Sequence, residues 1–315
     1  MTDHLDYLPL VRAWVGLGWG GVPSRVEILS RKKKSVIYRL VGVGPNGSDV
    51  IVKSCRRETA IVEREIYARV LTQLRVDPIG YYGFVDDAQG EFSWLFLEDV
   101  GGEEFQRGNP EHRAAAARWL ARLHTGSAGL DLDWLPDRGP GWYLEQMRGA
   151  RYAIRQNYDN PALFRADREV LDKVLARFDH VESRWGDVER TGAEMPRSLV
   201  HCDFAGKNVR VRQNGAGLEL FAFDWEFAGW GLPPVDLAYA DLDVYGSAVG
   251  DVWPLLNPAT LPRFVCVGKL LHAGLLASHW SAVSLASERV KQPISDLAVY
   301  QFRMGENLRE LGWSS

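Results

Sequence analysis

His201, Asp203 and Asn208 stand together in HCDFAGKN, and Asp224 closes the apolar run LELFAFD further along the chain. Between them, residues 209–211 alternate inward Val with outward Arg, 213–217 supply Asn and Gly for a turn, and 218–223 are mainly apolar. This pattern predicts a hairpin that folds Asp224 back beside Asn208. Transfer of a phosphoryl group is catalysed mainly by positioning and by neutralising charge on the phosphates. A site for it therefore needs metal ligands that bind through oxygen and a carboxylate near the nucleophile. Two acids and an amide around a metal-bound phosphate would meet that need. The plain alternative is a polar loop followed by a strand end, since His, Asp and Asn are common in turns.

The spacing H-x-D-x-x-x-x-N is that of the protein-kinase catalytic loop, in which the Asp takes the proton of the accepting hydroxyl and the Asn binds metal. HCDFAGKN followed by FAFDWE and PVDLAY resembles the aminoglycoside phosphotransferase and choline kinase family, small-molecule kinases similar in fold to protein kinases. The resemblance implies Asp203 as base, Asn208 and Asp224 as ligands of Mg²⁺, and ATP or GTP as phosphoryl donor. It also implies that Asp236, in PVDLAY, ties the catalytic loop down by hydrogen bonds. Cys202 stands where that family usually has Gly, which leaves the acids and the amide in place but crowds the loop. DWE in place of the DFG of protein kinases favours the small-molecule branch.

The elements that must position these groups begin upstream. Residues 5–19 suit a short helix interrupted by Pro9, and VEILS, SVIYRLVGV and SDVIVKS are three β-branched runs that predict an antiparallel meander ending on Lys53. Residues 58–74 predict a helix with an apolar face. Kinases hold the nucleotide α and β phosphates with a Lys on the third strand, oriented by a Glu on the following helix. Lys53 fits the strand position. VEREIYARVL resembles the same helix of the family, where the second Glu of ERE makes the pair; that assigns Glu65, with Glu63 as the alternative. The literal G-x-G-x-x-G at Gly42, Gly44 and Gly47 contains Pro45 and Asn46 and precedes a strand, so it predicts a turn and no phosphate site. The turn at 31–35, RKKKS, is the better cover for a nucleotide, through backbone amides, the Ser35 hydroxyl and Lys33 or Lys34. Two further strands, 79–85 and 92–97, lead into FLEDVGG. The family places its interlobe hinge there, which implies that the Glu98 carbonyl and the Val100 amide meet the adenine edge.

The rest of the chain predicts helices at 110–125, 142–158, 161–185, 261–284 and 290–311. Trp142, Tyr143 and Tyr152 are candidates for an acceptor pocket, or core aromatics. After Asp224, Trp225, Trp230 and Tyr245 interleave with Glu226, Asp236, Asp241 and Asp243. Glu226 and Trp230 are the leading acceptor candidates, by charge and by stacking; a stacked acceptor could also use Trp225 or Tyr245. The expected fold is α+β, two-lobed and protein-kinase-like. A nucleotide-binding lobe of a small antiparallel sheet plus helix occupies 1–98, and a larger, mainly helical catalytic and acceptor-binding lobe occupies 99–315.

Composition sets the outer limits. The chain has 315 residues and a formal charge of -4, which gives no reason to expect a nucleic-acid partner, whose mark would be a basic domain or stripe. No apolar run reaches the length of a membrane span, and MTDHLDYL lacks a signal peptide's basic start, so no membrane association and a cytoplasmic location are expected. Cys55, Cys202 and Cys266 are few and widely spaced, against a disulfide framework or structural zinc. The activity expected is transfer of the γ-phosphoryl of a nucleoside triphosphate to a hydroxyl of a small molecule such as an antibiotic, nucleoside, sugar or amino alcohol. The alternative is a catalytically silent pseudokinase acting as an interaction module.

Overall fold

The computed structural model describes residues 7–32, 35–86, 92–215 and 217–313. The three β-branched runs pair as the strands β1 (Val26–Arg31), β2 (Ser35–Leu40) and β3 (Val50–Arg56). With β4 (Tyr81–Asp86) and β5 (Phe92–Glu98) they form an antiparallel five-stranded sheet in the order β1-β2-β3-β5-β4. Helix α1 (Leu8–Gly16) begins with Pro9 in its first turn, where the missing N–H costs no helical bond. Its Leu10 and Trp14 join Leu40, Val50, Val52 and Phe96 in the core of the sheet. The GVGPNG segment is the predicted turn: Gly42, Asn46 and Gly47 all have positive φ, and the Gly42 amide donates to Asp49 Oδ1 at 2.9 Å.

The helix expected at 58–74 is α2 (Arg57–Glu65), continued by a π-helical turn at Ile66–Val70 and a 3₁₀ turn at Leu71–Gln73. Ala60, Glu63, Ile66, Tyr67, Val70 and Leu71 are its buried positions, recurring at three and four residues as one face of a helix must.

The chain forms two units, one of residues 1–115 and 203–227, the other of 116–202 and 228–315. The first holds the five-stranded sheet and the predicted hairpin, Val209–Asn214 paired with Gly217–Ala222 from Asn214↔Gly217 to Val209↔Ala222. A two-residue strand, Glu103–Glu104, pairs with the hairpin's other edge. The second unit is mainly helical, with helices at Pro140–Gln156, Arg165–Ser183, Trp185–Ala193, Leu242–Val249, Leu261–Lys269, Ala277–Val283 and Lys291–Glu310. The helix expected at 161–185 thus stops at Ser183, and Trp185 starts another. A small sheet orders Asp137–Arg138, Gly229–Gly231 and Ser198–Val200, the last leading into the HCDFAGKN segment. Among the described residues, no helix is long and apolar enough to cross a membrane.

Candidate active site

Asp203 is buried at 6% exposure, and its surroundings come from the turn that follows it. Gly206–Asn208 is a 3₁₀ turn closed by the Asn208 amide donating to Ala205 O at 2.8 Å. That turn carries the Asn208 side chain back to Asp203, where Nδ2 donates to the backbone O and to Oδ2, each at 2.9 Å. With the NH₂ edge so engaged, the carbonyl oxygen occupies the opposite edge of the amide and is the atom offered to a cation. The Phe223 amide donates to Asn208 O at 3.0 Å, so the hairpin brings the residue before Asp224 against Asn208. Asp224 then turns with φ 68°, a left-handed conformation uncommon for a residue with a Cβ.

Lys53, on β3, is 7% exposed and carries its charge inside the first unit. Its ammonium lies 2.7 Å from Glu63 Oε2 and is also paired with Asp224 Oδ1. Burial works against that charge, but Glu63 and Asp224 outweigh it and hold the ammonium above its ordinary range. The pairing expected with Glu65 is corrected: Glu65 binds Arg64 at 2.5 Å and Arg69 at 3.2 Å. The reason is helical phase. Residues 63 and 65 lie on nearly opposite sides of α2, and only 63 falls on the buried stripe with Ala60 and Tyr67. Cys55, two residues beyond Lys53 on the strand, has its thiol pushed up to about 12, first by burial. The carboxyl of Glu226 is raised by loss of surrounding water and then by Asp224, with Glu63 and Asp203 adding to the effect.

A cavity of about 380 Å³ opens within the first unit, a size that suits a small-molecule site. Lys53, Glu63, Asn208 and Asp224 line one part, and Leu29, Ile37, Ile51, Leu97 and Phe223 supply apolar wall. Ser35, Glu98 and Val100 line it too. Lys33 and Lys34 lie outside the described residues. Lys32, whose amide donates to Ser35 O at 2.9 Å, lines the cavity and was not singled out in the sequence. Glu98 is bound to Gly80 through both its amide, at 2.7 Å, and its carboxylate, at 3.1 Å, while Arg212 donates to the Val100 carbonyl at 3.1 Å. Lys207 is a further lining residue that sequence reasoning passed over, although its place four residues after Asp203 was the available signal.

In the second unit, Asp236 is fully buried and accepts the backbone amides of His201 at 2.7 Å and Cys202 at 2.9 Å. His124 Nε2 approaches the same carboxylate at 3.4 Å and its Nδ1 lies 2.9 Å from the Tyr245 hydroxyl. Burial alone would raise the Asp236 pKa, but His124 and the His201 amide hold it below the usual value. Two aromatic expectations fail. Tyr245 is wholly buried in this network, and Trp225 is wholly buried in the first unit, so neither face is open to stack on an acceptor. Trp230 is half-buried in the strand Gly229–Gly231, with its carbonyl bound by Arg197. Tyr143 is buried, 3.6 Å from Cys202 Sγ, and Tyr152 is exposed.

Among the described residues, no three or more His, Cys, Asp or Glu side chains are grouped to hold a metal by themselves. The donors present, an amide oxygen and a carboxylate, are those a hard cation accepts when phosphates and water complete its shell. A buried acid beside an amide, a second acid held by an inward lysine, and a cavity lined by that amide, that second acid and that lysine are the parts of a kinase-type phosphoryl-transfer site. The profile of the phosphotransferase enzyme family, APH, matches residues 36–253. The chain belongs to that family, and is accordingly a phosphotransferase. A search of curated protein sequences finds no match.

Solved structures show the same protein-kinase-like fold. The microcompartment-associated aminopropanol kinase aligns with TM-score 0.65 at 15% identity, covering 97% of this chain and 99% of that one. Choline kinase from Cryptosporidium parvum aligns with TM-score 0.63 at 12% identity, over 92% and 91% of the two chains. The GDP complex of an aminoglycoside 2′-phosphotransferase aligns with TM-score 0.63 at 14% identity, over 99% and 100%.

Proposed function

We propose that this enzyme transfers the γ-phosphoryl of ATP, or of GTP, to a hydroxyl of a polar small molecule, with Asp203 as base. The observation that carries the reading is the joining of Asp203 to Asn208 and of Lys53 to both Glu63 and Asp224 around one cavity. In the reaction the hydroxyl proton passes to the Asp203 carboxylate as the acceptor oxygen bonds to the γ-phosphorus. The bond to the β–γ bridging oxygen breaks and its electron pair leaves with the nucleoside diphosphate. Lys53, fixed by Glu63, meets the α and β phosphates; Ser35 covers them; the Glu98 carbonyl and Val100 amide receive the base edge. This lobe runs to about residue 98. Asn208 and Asp224 would hold Mg²⁺, which when bound neutralises charge on the β and γ oxygens.

The acceptor class draws support from relatives named for aminopropanol, choline and aminoglycosides. Glu226 is the acid nearest in sequence to Asp224, and would attract a cationic group on such an acceptor; of Trp225, Trp230 and Tyr245, Trp230 is the one not wholly buried and would stack on it. The three cysteines are buried thiols, which fits a reducing cytoplasm. A screen of ADP release with aminoglycosides, nucleoside antibiotics, choline, amino alcohols, amino acids and sugars tests the reading. One compound should stimulate release, and Asp203→Asn should lower its turnover by roughly 10² to 10⁴ with little change in nucleotide affinity. Near wild-type turnover in that variant would remove Asp203 from the mechanism. Affinity for a cationic acceptor should weaken as salt rises, and that for a neutral one should not.

A further inference from the structure

Lys207 stands between Gly206 and Asn208 in the turn after Asp203. Its ammonium nitrogen lies 2.7 Å from Asp203 Oδ2, the same oxygen that accepts the Asn208 amide at 2.9 Å. The two ends of this ion pair differ sharply, with the Asp203 side chain 8% exposed and the Lys207 side chain 59% exposed. The backbone beneath Lys207 is held on both sides. The Phe223 amide binds Asn208 O at 3.0 Å, and Gly206 packs so closely on the Phe105 carbonyl that an added Cβ would come within 2.7 Å of it. A fixed backbone thus carries a long, unbranched, mostly hydrated side chain at the wall of the cavity shared by Lys53, Asn208 and Asp224.

If Lys207 served only to position Asp203, its contribution would be small. An exposed ammonium gains little from one carboxylate, and Asn208 already holds the same oxygen. A triphosphate offers the ammonium more charge and more acceptor oxygens than Asp203 does. We infer that Lys207 is a second cation for the transferring phosphoryl group, exchanging its pairing with Asp203 for the γ-phosphate when a triphosphate binds. The inference rests on the nucleotide-kinase reading above. The exchange uncovers Asp203 as a base while placing positive charge where the phosphoryl oxygens carry it in the transition state. Lys207 forms and breaks no covalent bond and keeps its protons throughout.

Binding measurements need no knowledge of the acceptor. Calorimetric titration of wild type, Lys207→Met and Lys207→Arg with Mg·AMP-PNP and with Mg·ADP isolates the γ-phosphate. Lys207→Met should weaken AMP-PNP binding about tenfold while ADP binding stays within about twofold, and Lys207→Arg should recover most of the loss, since either cation can meet a phosphate. Equal losses for the two nucleotides, or no loss for AMP-PNP, would overturn the inference and leave the kinase reading standing. Wild type binding neither these nucleotides nor their guanine counterparts would sink the kinase reading, and the inference with it.

Discussion

Cys202 has φ 59°, a left-handed backbone on a residue that carries a Cβ. Such a conformation costs an L-residue about 1–2 kcal/mol relative to its ordinary regions. It persists here because the chain is held around it: the Cys202 amide is bound by Asp236 and its side chain is fully buried. The resemblance of HCDFAGKN to a motif with Gly at this position therefore has a backbone explanation, and the thiol is the departure. Two substitutions separate strain from packing. Cys202→Ala removes the sulfur and keeps the strain, whereas Cys202→Gly removes both. The Gly variant should be the more stable by about 1 kcal/mol in urea unfolding, the reverse of the usual order of Ala and Gly. An Ala variant equal to or more stable than the Gly variant would show that the loop stores no strain at residue 202.

Helix α2 shows how an element assigns a role that residue type leaves open. Glu63 and Glu65 have the same chemistry and flank Arg64, but the helix turns only Glu63 toward β3 and gives Glu65 to two arginines. Arg64 and Arg69 hold the Glu65 carboxyl below its usual range through hydrogen bonds, with charge adding to them. Glu63→Gln should lower kcat/KM by roughly 10- to 100-fold, because Lys53 then loses the anion that fixes it on the Glu63 side. Glu65→Gln should stay within about twofold, as expected of a surface ion pair. Steady-state ADP release with the acceptor found by screening compares the two, and the opposite ranking would return the role to Glu65.

At the scale of the molecule, residues 203–227 belong with residues 1–115 although residues 116–202 of the second unit intervene in the chain. The returning segment supplies Asp224 to Lys53, the strand that pairs with Glu103–Glu104, and the Phe204 ring that packs on Phe105. A fragment of residues 1–115 would lack all three and keep a buried lysine with one of its two partners. Removing one partner of a buried ion pair is strongly destabilising, on the order of 3–5 kcal/mol. The fragment should therefore unfold without a cooperative transition, followed by circular dichroism, under conditions where the whole chain gives one. A sharp transition in the fragment would show that the sheet is stable without the returning hairpin.

What the chain determined by itself was local. Alternating Val and Arg around an Asn-Gly turn specify a hairpin, and with it the closeness of Asn208 to the residue before Asp224. The H-x-D-x-x-x-x-N spacing likewise brings Asn208 to Asp203, since one 3₁₀ turn spans the gap. These contacts were legible because short-range periodicity and turn chemistry decide them. Tertiary structure decided which glutamate meets Lys53, because a stripe acquires meaning only once the sheet has covered one face of α2. It also withdrew Trp225 and Tyr245 from any acceptor by burying them, as an aromatic is equally suited to a core or a pocket. The ion pair between Lys207 and Asp203 belongs to the same class: its spacing was visible, but only the turn pinned against Phe105 aims the lysine at the base.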